Sequence, residues 1–331
     1  MKHIPIFFAF DNNYVEPAAV AFYSLLNKAN KDIFYEMYVL HSDISASRQE
    51  ILMNIVARLG NAELKFINTS DKFKDMWNNG SFNSAFSLSV FTPDTIAKCF
   101  AASFFPQYDK IIFSDVDIVI VDDISEIYYT NIDNKYIAGV KNPFLKYSKE
   151  ELSHYKKEYA DLLKDNHLCG GIWVMNLKKI RNDALEDRML EIIKDTSIEK
   201  KFPDQDIMNI ACNGEIDFIP LNYISYPYMM DLLEIPDFKS HYTKDELYDS
   251  IINPKIIHFA ACKPWNNNPK YSNLWWTFFN YLGLEKTDIF KNINEENKIK
   301  KYKKKNKKLI KWLFLLIIVA FIETVFIFIT L

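Results

Sequence analysis

The sequence predicts an α/β protein with a Rossmann-like, mostly parallel mixed sheet flanked by helices, and three observations indicate this class. Strand-like and helix-like segments alternate through the first hundred residues, as they do in doubly wound sheets. The strand-like segments are short, continuous apolar runs, which is typical of strands buried on both faces. The chain has 331 residues, of which 49% are hydrophobic, and this is enough to bury a large core in one or two domains.

The predicted elements follow one another from the N-terminus. The first apolar run is short and soon followed by an acid, so it predicts a strand and not a signal peptide. Predicted strands cover 4–10, 35–41, 63–67, 111–113, 118–121, 137–140, 172–177 and 255–258. Predicted helices begin at Glu16-Pro17, where proline is tolerated in the first turn, and cover 45–59, 87–105 and 207–212, with an exposed helical insertion at 148–164.

The centre of the pattern is the segment YDKIIFSDVDIVIVDD at residues 108–123. Two apolar runs in it bracket Asp115 and Asp117, whose side chains point the same way in an extended chain. Two converging carboxylates repel each other unless a cation lies between them, and oxygen ligands suit Mn²⁺ or Mg²⁺. An accidental D-x-D is common in a chain with 43 acids, but the position after a buried strand favours a metal site that carries a diphosphate.

Two further polar groups precede this segment. The first predicted strand stops at the polar turn Asp11-Asn12-Asn13-Tyr14, a position where nucleotide sites are commonly built. Lys98 lies in the predicted helix just before the acidic centre. It either faces a phosphate or is an exposed charge, and the sequence favours neither interpretation.

Three constellations follow the acidic centre. Gly170-Gly171 precede a strand, where adjacent glycines either let backbone approach a ligand or simply make a tight turn. Pro203-Asp204-Gln205-Asp206 place carboxylates and an amide at a helix start, although capping alone needs only one of them. His258 ends a predicted strand and Lys263 follows five residues later. Imidazole is a ligand for Mn²⁺ and lysine suits phosphate, while a lone histidine is more often a hydrogen-bonded structural residue.

The charge distribution excludes one class of partner. Lysine and arginine number 40, and aspartate and glutamate 43. Nine lysines but only one acid, Glu323, lie in residues 298–331, so residues 1–297 carry 31 bases and 42 acids. A body with a net charge of −11 does not hold nucleic acid by bulk electrostatics. The four cysteines lack C-x-x-C spacing, which argues against a structural zinc site and indicates reduced thiols.

Together these motifs resemble family 8 of the retaining glycosyltransferases, which includes lipopolysaccharide galactosyl- and glucosyltransferases and glycogenin. The resemblance spans roughly residues 3–283. It is carried by five segments in the family's order: the turn at 11–14, FSDVDIVIVDDI, CGGIWVMNL, PDQDIMN and IIHFAACKPW.

The resemblance implies a GT-A fold over residues 1–283 and a transferase that moves a hexose from UDP-glucose or UDP-galactose to a glycan or glycolipid acceptor. It implies Mn²⁺, or Mg²⁺, held by Asp115, Asp117 and His258, with Lys263 neutralising the leaving phosphate. The remaining positions implied to bind the donor or to act at its sugar are Asp11, Asn13, Tyr14, Lys98, Val116, Gly170, Asp204 and Gln205. Of these, Tyr14 lies near the base, and Gln205 lies close to the anomeric carbon and is too poor a nucleophile to attack it.

The chain departs from the family at three positions: Cys169 replaces the usual Asn, Ala261 replaces the Gly of the H-x-x-G turn, and Lys98 stands for an arginine. The replacements at Cys169 and Ala261 leave open an alternative function, that of an inactive, carbohydrate-binding membrane protein with a transferase fold. A haloacid-dehalogenase-type phosphatase also has a D-x-D-x-V motif, but that motif normally opens its fold, whereas here more than a hundred residues precede it.

The C-terminus predicts attachment to a membrane. Residues 284–308 form a charged basic linker and residues 309–331 an apolar segment, whose run from 312 to 322 leaves no polar face. Glu323 costs roughly 2.5–3.5 kcal/mol in a bilayer, which the surrounding apolar residues partly offset. Because the lysines precede the segment, the positive-inside rule places the enzyme on the cytoplasmic side of the inner membrane.

Overall fold

The computed structural model describes residues 1–71, 73, 93–143, 152–153, 157–165, 167–195, 202–235, 240–260 and 262–285. Residues 1–264 and 269–284 form one compact unit, which contains every element discussed below except part of one short helix. Residues 265–268 and 285–331 are assigned to a second unit. The predicted basic linker, beyond its first two residues, and the predicted anchor at 309–331 lie outside the described residues, as does Ala261.

A mixed sheet of seven strands forms the centre of the first unit. Its strands lie in the order β3-β2-β1-β4-β7-β6-β8, while β5 and β9 pair separately. In chain order the strands are β1 (Lys2–Ala9), β2 (Ile33–His41), β3 (Ala62–Asn68), β4 (Lys110–Ser114), β5 (Ile118–Ile120), β6 (Ile137–Lys141), β7 (Leu168–Asn176), β8 (Ile216–Ile219) and β9 (Ile256–His258). Neighbours are parallel except where β7 pairs with β4 and β6, so the predicted mostly parallel mixed sheet is confirmed.

Helices cover both faces of this sheet. In chain order they are α1 (Val15–Lys28), α2 (Ala46–Leu59), α3 (Pro93–Ala97), α4 (Ala101–Phe104), α5 (Lys157–Asp165), α6 (Leu177–Asn182), α7 (Leu185–Lys194), α8 (Pro203–Cys212), α9 (Met229–Leu233), α10 (Lys244–Ile252), α11 (Pro264–Asn267) and α12 (Ser272–Tyr281). No helix among these described residues is long and apolar enough to cross a membrane.

Alternate residues of the central strands enter two separate cores. In β1, Ile6 and Phe8 pack with α1 and α2, whereas Phe7 packs on the opposite face with Phe105 and Phe113. This alternation follows from the two-residue period of a strand. Because both faces are covered, β1, β4, β6 and β7 are largely continuous apolar runs, and this is why their positions could be predicted from the sequence. The edge strand β3 instead alternates apolar and charged residues, and β8, which contains Asp217, was not predicted.

Two helical predictions need correction. The described part of 87–105 is not one helix: a 3-10 turn at Lys98–Phe100 separates α3 from α4 and carries the Lys98 side chain inward. The described part of the 148–164 insertion is helical, but it is not wholly exposed. Leu163 is buried in the second core, because α5 is amphipathic and packs against α8.

Candidate active site

A cleft of about 490 Å³ opens where β1 and β4 end and the antiparallel β7 begins. The turn after β1 forms one end, which we call the turn end (residues 11–14), and the start of α8 with Gly170 forms the other, which we call the glycine end. The lining residues that the sequence predicted are Asp11, Tyr14, Lys98, Asp115, Val116, Asp117, Gly170, Asp204, Gln205, His258 and Lys263. Asn13 was also predicted, but it is exposed and does not line the cleft; its backbone N–H donates to Asp11 Oδ1 at 2.9 Å.

The two carboxylates and the imidazole come together between these ends. Asp115 and Asp117 lie on the link from β4 to β5, and His258 is the last residue of β9. The register of the β5–β9 pair places Ile118 opposite His258, and the Phe259 N–H donates to the Asp117 carbonyl at 2.8 Å. Backbone pairing therefore fixes the histidine beside the D-x-D segment, although about 140 residues separate them in the chain.

The donor atoms of this cluster converge. His258 Nε2 lies 3.6 Å from Asp115 Oδ2 and 3.2 Å from Asp117 Oδ1, and the three atoms lie within 4.8 Å of one another. Two carboxylate oxygens and an imidazole nitrogen fit Mn²⁺, which accepts both ligand types, better than Mg²⁺, which favours oxygen. The residues thus fit the cation that the sequence predicted.

Packing holds the imidazole in place. The imidazole ring stacks on Tyr226, with the ring centroids 5.7 Å apart. The imidazole also lies close to the backbone of Gly171. A Cβ added at Gly171 would lie 2.7 Å from His258 Nδ1, and the backbone there has φ +112°. A Cβ added at Gly170 would lie 3.0 Å from Gln205 Nε2 and 3.6 Å from Asp115 Oδ2. The prediction that the two glycines precede a strand is wrong, because both lie within β7. Close approach to other side chains, most of all to His258 at Gly171, favours glycine at these positions.

Lys98 is neither an exposed charge nor a group free to contact phosphate. Its side chain is 4% exposed, and Nζ lies 3.0 Å from Asp115 Oδ1 and 2.7 Å from Asp204 Oδ2. Burial alone would lower the pKa of Lys98, but these two carboxylates more than offset it and hold that pKa above the usual value. Lys98 is a buried ammonium that joins Asp115 to Asp204.

Lys263 pairs with the second carboxylate. Its Nζ contacts Asp117 Oδ2, and its side chain is 17% exposed in the cleft wall. Burial alone would raise the pKa of Asp117, but Lys263 and His258 hold it well below its usual range. Burial likewise opposes the charge on Lys263, whereas Asp117 raises the pKa of this lysine. Both groups are therefore charged at neutral pH.

The turn end is held by local hydrogen bonds and a buried ion pair. Asp11 accepts the Asn13 N–H, and the Tyr14 N–H donates to the Asp11 carbonyl at 3.0 Å. Arg48 lies 2.6 Å from the buried Glu16 and also donates to the Asn12 carbonyl at 3.1 Å. This pair was not predicted, because its members lie on different helices, α1 and α2.

The glycine end depends on contacts between distant segments. Asp206 is fully buried, accepts the Phe202 N–H at 2.8 Å and lies 3.3 Å from His167 Nε2. Asn209 Oδ1 accepts the Leu168 N–H at 2.8 Å. Capping was the alternative role considered for the acids at this helix start. The structure shows that Asp206 and Asn209 fasten the first turns of α8 to the beginning of β7, and so place Gln205 and Asp204.

Aromatic side chains complete this end, and sequence reasoning missed them. Tyr226 and Tyr228 stack with centroids 5.4 Å apart, and both line the cleft together with Phe202 and Asn142. The alternating tyrosines of Tyr226-Pro227-Tyr228 were the available signal. Cys169, which replaces the Asn usual in the family, is 1% exposed, and its sulfur accepts a hydrogen bond from the Tyr226 hydroxyl at 3.3 Å.

An α/β fold that brings a D-x-D segment and a histidine together in one cleft provides a candidate site for a divalent cation. The sequence profile of glycosyl transferase family 8 matches residues 5–269, so the chain belongs to that family and the predicted resemblance is confirmed. Membership also excludes the phosphatase alternative. No curated protein matches the sequence.

Solved structures share the fold. The bifunctional glycosyltransferase WbbM is 22% identical with a TM-score of 0.68, over 88% of this chain but only 51% of WbbM. This chain therefore spans about half the length of WbbM. The galactosyltransferase LgtC, solved with donor and acceptor sugar analogues, is 18% identical with a TM-score of 0.65, over 86% of this chain and 98% of LgtC. GlyE from Streptococcus pneumoniae TIGR4 is 17% identical with a TM-score of 0.60, over 89% of this chain and 63% of GlyE. These likenesses identify the fold as GT-A-like.

Proposed function

We propose that this family 8 glycosyltransferase is a metal-dependent retaining enzyme that transfers a hexose from UDP-glucose or UDP-galactose to a glycan or glycolipid acceptor of the lipopolysaccharide or capsule type. The observation that carries the proposal is the convergence of Asp115, Asp117 and His258 beside Lys263 in one cleft. A diphosphate is the substrate group that such an arrangement of carboxylates, imidazole and ammonium suits. The structure of LgtC is consistent with a sugar donor, because it was solved with a donor sugar analogue bound.

Each end of the cleft then has a role. The turn end binds uridine, with Tyr14 near the base, and the glycine end binds the sugar through Gly170 and Asp204. Lys98 positions Asp115 and Asp204 and does not itself contact phosphate, because both carboxylates surround its buried Nζ. This arrangement connects the metal site to the sugar site through one ammonium.

The reaction breaks the bond between the anomeric carbon and the β-phosphate oxygen, and the electron pair stays on that oxygen. A divalent cation supplies positive charge against the leaving diphosphate when bound. Lys263 donates to the same phosphate, and its stabilisation grows as negative charge develops. The acceptor hydroxyl attacks on the face that the diphosphate leaves, and its proton goes to a phosphate oxygen. Gln205 stands near the anomeric carbon as a positioning amide, since an amide oxygen is a poor nucleophile.

Consumption of UDP-sugar, measured with and without Mn²⁺, tests the proposal. We expect turnover of one hexose donor from a UDP-sugar panel only with the cation, and we expect Asp115→Asn to remove it. Asp122→Asn is a matched control, because Asp122 pairs with Lys255 outside the cleft at 2.9 Å. Binding of UDP and glycan without any turnover would instead favour the inactive carbohydrate-binding alternative.

We further propose that the C-terminal segment 309–331 attaches the enzyme to the cytoplasmic face of the inner membrane, where a glycolipid acceptor is available. The support is sequence alone: an apolar run that begins at Trp312, directly after nine lysines in residues 298–311. A chain ending at Asn297 should keep activity on small acceptors and lose most of it on membrane-embedded acceptor. Release of the full chain from membranes by high salt would contradict an inserted anchor.

A further inference from the structure

The two cleft lysines contact the metal-binding carboxylates in the same pattern. Asp115 turns Oδ2 toward His258 and Oδ1 toward Lys98, while Asp117 turns Oδ1 toward His258 and Oδ2 toward Lys263. Each carboxylate thus offers one oxygen to the common point facing Nε2 and has the other neutralised by an ammonium. This leaves one oxygen of each carboxylate for a cation.

The two lysines differ in their freedom to move. Lys98 has a second carboxylate, Asp204, and its Nζ lies 4.5 Å from the centroid of the Phe113 ring. Lys263 has a larger exposed fraction, and within the described residues Asp117 is the one carboxylate within ion-pair distance of its Nζ. The Lys263 ammonium can therefore leave its partner without leaving the cleft, whereas Lys98 cannot.

The formal charges decide when Lys263 should leave. With a neutral imidazole, Asp115, Asp117 and Asp204 against Lys98 and Lys263 give this cluster a charge of −1. A divalent cation alone would change it to +1, whereas a cation together with a diphosphate diester, which carries two negative charges, restores −1. Asp11 at the turn end adds the same charge to every state. Cation and diphosphate are therefore favoured as a pair.

We propose that Lys263 is a stand-in for the divalent cation: in the free protein its ammonium neutralises Asp117, and when cation and diphosphate bind together it transfers from Asp117 to the diphosphate. This inference rests on the proposed function. Its consequence is that the cation binds weakly without the nucleotide, because it meets an ammonium already paired with one of its ligands. By thermodynamic linkage, the nucleotide diphosphate and the cation strengthen each other's binding by the same factor.

Mn²⁺ binding to the full-length chain in detergent tests this without any turnover. Electron paramagnetic resonance of free Mn²⁺ gives the affinity, with and without saturating UDP. We expect UDP to raise the Mn²⁺ affinity of the parent chain about 10–100-fold, within the usual range of coupling between two ligands. Lys263→Met should bind Mn²⁺ about 10-fold more tightly than the parent in the absence of UDP, and UDP should then add only a few-fold.

Two variants control for other effects. Lys255→Met removes a lysine that also pairs with an aspartate and has a similarly exposed side chain, 21%, but lies outside the cleft; it should leave both affinities unchanged. Lys263→Arg keeps the positive charge and should restore the weak Mn²⁺ binding of the parent. If Lys263→Met unfolds without cation, the rise in melting temperature on adding Mn²⁺ should exceed that of the parent.

The outcomes separate the two proposals. If Lys263→Met binds Mn²⁺ no more tightly than the parent without UDP, while UDP still strengthens binding, the stand-in role is wrong and the proposed function stands. If the parent chain binds no Mn²⁺ with or without UDP, the proposed function is wrong, and the stand-in role is wrong with it.

Discussion

The turn end and the glycine end of the cleft are built in different ways. The turn end consists of four consecutive residues that are shaped mainly by hydrogen bonds between near neighbours, such as Asn13 N–H to Asp11. Arg48 and Asp43 add bonds from outside the turn to the backbone of Asn12. The glycine end depends on bonds between segments about 40 residues apart, such as His167 to Asp206 and Leu168 to Asn209. The turn keeps its Asp11–Asn13 and Asp11–Tyr14 bonds when a distant contact is lost, whereas a site assembled from distant segments depends on the contacts between them.

The charges of the two ends differ as well. Behind the turn end, Asp94 is buried, accepts the Ser42 hydroxyl at 2.9 Å and lies near the further acids Asp11 and Asp43. At the glycine end, Asp204 is neutralised by Lys98. Three acids therefore lie near one another at the turn end, whereas the acid of the glycine end is paired with an ammonium.

The largest effect on turnover is expected at Asp117, in the metal-binding cluster between the two ends of the cleft. Asp117→Asn removes a charged ligand with little change in volume, so turnover should fall by about 10³-fold or more while the fold is retained. UDP-sugar consumption with saturating Mn²⁺ measures it, with Asp122→Asn as the control. Parental turnover in Asp117→Asn would refute the metal assignment.

Lys263→Ala should act next most strongly, and on kcat more than on KM. The charge on the leaving phosphate grows toward the transition state, so we expect kcat to fall about 10²-fold. Steady-state kinetics over a range of donor concentrations separates the two constants. A raised KM with an unchanged kcat would show that Lys263 binds the ground state and the transition state equally.

Gly171→Ala should break the glycine end specifically. The new methyl group meets His258 Nδ1 in a backbone conformation of φ +112°, so the free energy of unfolding should fall by about 2–3 kcal/mol and Mn²⁺ binding should weaken. Gly60→Ala is the matched control, since Gly60 also has a positive φ, +72°, but nothing lies within 4 Å of an added Cβ. Denaturant unfolding compares them, and equal losses in the two variants would show that backbone conformation alone matters at Gly171.

Tyr14→Ala should disrupt binding at the turn end and, unlike Lys263→Ala, should change KM more than kcat. Loss of a ring beside the base should raise the KM for UDP-sugar about 10-fold, because stacking on a base contributes about 1–3 kcal/mol. Since the turn is held by its own hydrogen bonds, kcat should change little. A kcat that falls as far as in Lys263→Ala would mean that the two ends are not independent.

The smallest effect concerns the acids behind the turn end. Burial, with Asp11 and Asp43 nearby, raises the pKa of Asp94 to about 6. The folded protein then holds a proton that the unfolded chain releases near pH 4, so Asp94 lowers stability as the pH rises from about 4 to 6. Asp94→Asn should remove this decrease and stabilise the protein by about 1–2 kcal/mol at pH 7. Denaturant unfolding at several pH values between 4 and 7 measures it, and an unchanged pH profile would contradict the raised pKa.

Six of the seven strands of the sheet were predicted, most of them because they are continuous apolar runs. The edge strand β8 (Ile216–Ile219) was missed, because it is short and interrupted by Asp217. The site residues that follow β1 and β4 could be predicted from their places at strand ends. The glycine end was predicted only in part. Gly170 and Asp204 stand out as residue types, but the roles of Asp206 and Asn209 depend on β7 lying beside α8. Lys98 shows the same limit: a lysine on a helix predicts exposure, and only the tertiary fold places it between two carboxylates.

The pairing of β5 with β9 determines when the metal site can form during synthesis of the chain. Ile118 pairs with His258, so the strand that directly follows the D-x-D segment has no partner until about 140 further residues have been made. At roughly 5–20 residues per second, this interval lasts on the order of 7–28 seconds. During it, the buried side chains of β5 have no β9 to pair with, and neither carboxylate has its histidine or, for Asp117, its lysine. The metal site is thus completed late in synthesis, and a ribosome that stalls before residue 258 releases a chain with most of the central sheet's strands but no site for the cation.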